Sequence, residues 1–209
     1  MRTFALIVTA FLVIAPAACN TAAFTKANSA AASMTRSTES LDTLRQATLD
    51  AKAAYDAMLA QGGDLKTLYK GFGSSIEKYT SSIDGVKRAI EGVEKSAASY
   101  LEAYAQTRDT IKNPDLRAAM LIRKESVERQ LADMKLELDR LYKATDEYSH
   151  ELADLRAFFS ASLNEQNIGP AAAVRETLDK AISEIALSAD RVSLTLKEIA
   201  SSLTTERPS

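Results

Sequence analysis

The sequence predicts an all-α protein, an elongated antiparallel four-helix bundle extending into a coiled-coil hairpin. Three observations predict it. Apolar residues alternate at spacings of three and four over segments far longer than any strand. The strong breakers, Gly62-Gly63, Asn113-Pro114 and Gly169-Pro170, fall between those segments. The 209 residues include no Trp, seven Gly and four Pro, and 46% are apolar, which favours helices around a substantial core.

The chain opens on an export signal. Arg2 is a short positive n-region, and Phe4 to Ile14 (FALIVTAFLVI) is an apolar run of signal-peptide length. The run stops at Pro16, short of the roughly 20 residues a spanning helix needs. Two cleavage readings compete. In one, Ala17-Ala18-Cys19 ends a lipobox: residues 1–18 are removed and Cys19 becomes a lipidated N-terminus. In the other, Ala15-Pro16-Ala17 is an A-x-A site that leaves an unmodified thiol near the end. Pro16 is unusual for a lipobox, but Cys19 is the chain's only cysteine and stands where a lipidated cysteine would. Asn20, rather than Asp, leans towards the outer membrane. Residues 19–36 hold few large apolar side chains and read as a flexible tether.

Residues 37–205 are expected to form the helical domain. Segment A, 37–61, carries Leu41, Leu44, Thr48, Ala51, Tyr55 and Met58 on one stripe. Gly62-Gly63 ends it, and Asp64 is a natural N-cap for the next helix. Segment B, 64–112, keeps four-three alternation from Ile76 through Tyr79, Ile83, Val86, Ile90 and Val93 to Ile111. Beside that seam Ser82, Gly85, Ala89, Gly92, Ser96, Ser99 and Ala103 make a flank of small residues. Helix-interior glycine costs on the order of 1 kcal/mol against alanine, so the flank predicts a closely approaching helix. Asn113-Pro114 stops segment B. Segment C, 115–163, carries Val127, Leu131, Met134, Leu138, Leu141, Thr145, Tyr148, Leu152, Leu155 and Phe159. Segment D carries Val174, Leu178, Ile182, Ile185, Ala189, Val192, Leu196, Ile199 and Leu203. Short turns make successive helices antiparallel, so all four share the pole where A ends. Away from it the bundle is expected to lose A, then D, leaving B and C as the hairpin.

Chemistry is hard to place on this pattern. Glu147-Tyr148-Ser149-His150 has the Glu-x-x-His spacing of di-iron bundles, but those sites use two such motifs and His150 is the only histidine. With Thr145 and Tyr148 on the seam, His150 falls on the outward face. Gly71-Phe72-Gly73-Ser74-Ser75 lacks the Lys-Ser/Thr ending of a phosphate loop. One histidine and one cysteine leave no nucleophilic triad. We therefore expect no catalytic residue, no cofactor and no metal. The tyrosines on the seams suit burial of the ring with the hydroxyl at a wet edge. The net charge of −2, without a basic block, argues against nucleic acid as a partner.

"GGDLKTLYKGFGSSIEKYTSSIDGVKRAIEGVE" and "LADLRAFFSASLNEQNIGP", following a lipoprotein signal, resemble the bacterial family called domain of unknown function 2959. The resemblance spans about Leu41 to Leu203. It implies an exported helical protein with no established activity. The expected function is a membrane-anchored structural or interaction protein of the cell envelope, facing the periplasm. It would engage a protein partner or a second copy through its helical faces. The alternative is a periplasmic carrier of a lipid or small hydrophobic ligand.

Overall fold

The computed structural model describes the backbone of residues 17–60, 63–161 and 168–204, with side chains from residue 22 onward. The apolar run at 4–14, the cleavage sites around Pro16 and the side chain of Cys19 lie outside the described residues. Four long helices make up the fold: α1 (Ala17–Ala60), α2 (Leu65–Thr110), α3 (Pro114–Ala161) and α5 (Arg175–Thr204). A single turn, α4 (Ile168–Ala171), and a 3₁₀ turn, Ala172–Val174, lead into α5. No strand occurs among the described residues.

The caps explain why the helices start and stop here. Asp64 accepts hydrogen bonds from Thr67 N–H at 3.1 Å and Thr67 Oγ1 at 2.6 Å, which hold its carboxyl below the usual carboxylate range. Asn113 does more than end α2. Its Oδ1 accepts from the backbone N–H of Asp115 at 2.9 Å and of Leu116 at 3.3 Å, capping α3 with Pro114 at the first helical position.

The helices run up-down-up-down. Arg45 pairs with Asp190 at 2.8 Å and Lys52 with Asp179 at 3.4 Å, setting α1 antiparallel to α5. Lys135–Glu94 at 3.0 Å and Arg156–Glu77 at 3.6 Å do the same for α3 and α2, and Arg191–Glu137 at 3.5 Å with the Arg123–Ser202 contact for α5 and α3. The more exposed of these pairs, Arg45–Asp190 and Lys135–Glu94, fix register more than stability, about 0–1 kcal/mol each. One core of seam residues, from Ala27 to Leu203 in the sequence, runs through the bundle. Its aromatic layers pack edge to face: Phe72–Phe159 at 5.9 Å and Tyr79–Tyr148 at 5.1 Å between centroids.

The structure corrects two expectations. Residues 19–36 are not a tether but the first part of α1. Ala23, Ala27, Ala30, Ala31 and Met34 are buried, and so are Ser33 and Ser37. Their partner is α2, on which α1 packs more closely than on any other helix. A methyl group added at Gly92 would stand 3.4 Å from Ser33 Oγ. Small side chains on both helices allow that approach, and alanine's high helix propensity supplies the backbone. Secondly, segment A does not drop out first. With 44 residues α1 is about 66 Å long, almost the match of α2 and α3. The shorter α5 ends first, where Arg123 of α3 donates to the carbonyl of Ser202. The hairpin beyond it is a short crest: from Leu101 to Ser126 no residue is buried.

Candidate functional site

The Glu147–His150 motif lies on α3 and the Gly71–Ser75 stretch on α2. His150 lies on the exposed face of α3, its Nδ1 2.7 Å from the carbonyl oxygen of Asp146 one turn earlier. Glu147 has a 60% exposed side chain, 3.9 Å from Lys143 Nζ. No group of three His, Cys, Asp or Glu side chains suited to a metal ion occurs among the described residues. Gly71 and Gly73 lie inside α2, and Phe72 between them is fully buried against Phe159.

The tyrosines depart from expectation. Their rings are buried on the seams, but the three innermost hydroxyls reach no wet edge. Tyr55 Oη donates to the Ala171 carbonyl at 2.9 Å, Tyr79 Oη to that of Thr145 at 3.0 Å, and Tyr148 Oη to that of Thr48 at 3.3 Å. Each bond joins two segments distant in sequence, and each satisfies a group that burial would otherwise penalise. Burial pushes the Tyr79 and Tyr148 hydroxyls well above the usual tyrosine range. Both stay neutral donors at any physiological pH.

The bundle surface is where unsatisfied apolar groups remain. Leu136 on α3 and Leu194 on α5 are 61% and 58% exposed. The Arg191–Glu137 pair puts them at about the same height on adjacent helices. A second group is at the crest: Leu116, Leu121 and Ile122, with a shallow cleft of about 300 Å³ lined by Arg108, Pro114, Arg117, Ala118 and Leu121. Neither was visible from the heptad pattern, because both lie off the seams.

The backbone of Cys19 is on the first turn of α1. Gly92 and Ser33 set the register of α1 against α2. Cys19 is 14 residues from Ser33, about 21 Å along α1, and Thr110 is 18 residues from Gly92, about 27 Å along α2. Cys19 therefore begins the bundle at the crest pole, within about two turns of the Asn113-Pro114 tip. No described helix is long and apolar enough to cross a membrane. Comparison with protein-family models, with curated proteins and with solved structures gave no match.

Proposed function

We propose that this chain is an exported helical lipoprotein, held at a membrane by a lipid on Cys19, with a structural or protein-interaction role in the cell envelope. One observation carries the reading. The only cysteine follows the apolar run at 4–14 and opens a helix that continues unbroken into the bundle. An acyl group there would couple the membrane to a rigid body, with no flexible spacer between them. The proposed placement is on the periplasmic side, with Asn20 favouring the outer membrane. Membership of the domain of unknown function 2959 family belongs to the same proposal.

An interaction role is supported by where the polar groups go. The hydroxyls of Tyr55, Tyr79 and Tyr148 are spent on backbone carbonyls, so a carrier would have to break those bonds to admit a ligand. Exposed Leu136 and Leu194 are the apolar side chains that a partner seated on α3 and α5 would cover. Photo-cross-linking residues at these two positions, in living cells, are expected to trap one or a few defined proteins or a second copy of the chain. Recovery of uncross-linked protein alone would overturn the interaction role.

A further inference from the structure

Among the described residues the crest, Leu101 to Ser126, is the longest stretch without a buried residue. We infer that it is a second membrane contact, docking on an anionic lipid surface beside the anchor. Leu116, Leu121 and Ile122 are 57%, 42% and 65% exposed. On α3, Leu121 and Ile122 point away from the stripe that Val127 and Met134 continue into the core. Phe24, 41% exposed, stands on α1 at the same pole. These apolar groups are set among positive charge. Around the tip, from Arg108 to Lys124, five basic residues stand against two acidic ones; Arg108 pairs with Asp109, Lys124 with Glu128, and Arg123 donates to the Ser202 carbonyl, while Lys112 and Arg117 stand at exposed positions. The chain contains no acidic residue before Glu39, and Lys26 adds a positive charge on the part of α1 nearest the crest. The opposite pole has the reverse balance: residues 139–161 hold five acids against three bases, and 39–60 four against two.

That arrangement fits a bilayer surface of anionic lipid. Leucine and isoleucine side chains enter the acyl boundary while arginine and lysine stay with the headgroup phosphates. The inference rests on the anchored reading for its geometry, since Cys19 would bring the crest to the surface. The charge and exposure of the crest stand without it.

The absence of Trp from the chain makes the test clean. The protein as cells process it carries either Ile122→Trp at the crest or Leu49→Trp at an exposed site far from it. Each is mixed with vesicles of phosphatidylglycerol and phosphatidylethanolamine containing brominated lipid. Ile122→Trp is expected to shift its emission to the blue and lose most of its intensity to the bromines, while Leu49→Trp does neither. Adding Lys112→Glu and Arg117→Glu, both at exposed positions, should abolish the quenching with helical circular dichroism unchanged. Acylated, vesicle-bound protein with an unquenched Ile122→Trp would sink the crest contact and leave the anchor standing. Unacylated protein that still quenches would do the opposite. A blue shift that needs only high protein concentration and no vesicles would identify a second copy as the occupant and overturn the inference.

Discussion

Ser33 of α1 lies against Gly92 of α2 so closely that a methyl group at Gly92 would stand 3.4 Å from the serine Oγ. That contact ties the alanine-rich start of the chain to the middle of the longest seam. It also sets a limit on size. Gly92→Ala adds one methyl at the edge of ordinary contact and gains helix propensity of about 1 kcal/mol, so thermal stability should hold or rise. Gly92→Leu must push α1 outward and should cost about 1–3 kcal/mol. Thermal unfolding of the two variants checks the pair.

Met34 is 1% exposed, inside a stretch that composition alone suggests is a tether. If α1 packs as described, Met34→Ala removes buried volume and destabilises by about 2–5 kcal/mol. A tether would give no change in the urea midpoint.

The buried tyrosines predict an alkaline limit. Their protons are held in the folded state, whereas in the unfolded chain they leave near pH 10, the ordinary tyrosine value. Above that pH the unfolded state binds fewer protons than the native one, so stability present below pH 10 falls as pH rises. Urea midpoints should drop between about pH 9 and 11, less steeply in Tyr79→Phe and Tyr148→Phe. At neutral pH each variant should lose about 0.5–1.5 kcal/mol for the missing hydrogen bond.

His150 should be dispensable to the fold. Its ring is exposed and no metal-binding cluster surrounds it among the described residues. His150→Ala is expected to change stability by less than about 0.5 kcal/mol. Metal content measured by elemental analysis should be unchanged.

Much of this architecture could be read directly from residue spacing. Tyr79, Val86 and Val93 on α2, and Leu141, Tyr148 and Leu155 on α3, are large enough for the period of the seam to stand out, and all are buried. Of the small flank, Gly92 correctly implied a close neighbour, whereas a methyl group at Gly85 would meet nothing within 4 Å. The identity of that neighbour was hidden. Ala23, Ala27, Ala30, Met34, Ser37 and Leu41 keep the same four-three spacing. Alanine also occupies positions 22, 31 and 32, so it marks no single face by size. Exposed Leu121 and Ile122 were obscured for a different reason. Seam analysis selects what packs inward, and these two side chains point out.

The mass of the mature N-terminus tests the anchored reading most directly. Protein extracted from membranes of expressing cells and analysed intact should begin at Cys19 and carry acyl groups on it. A chain that begins at Ala18 with a free Cys19 thiol, recovered from the soluble fraction, would contradict it.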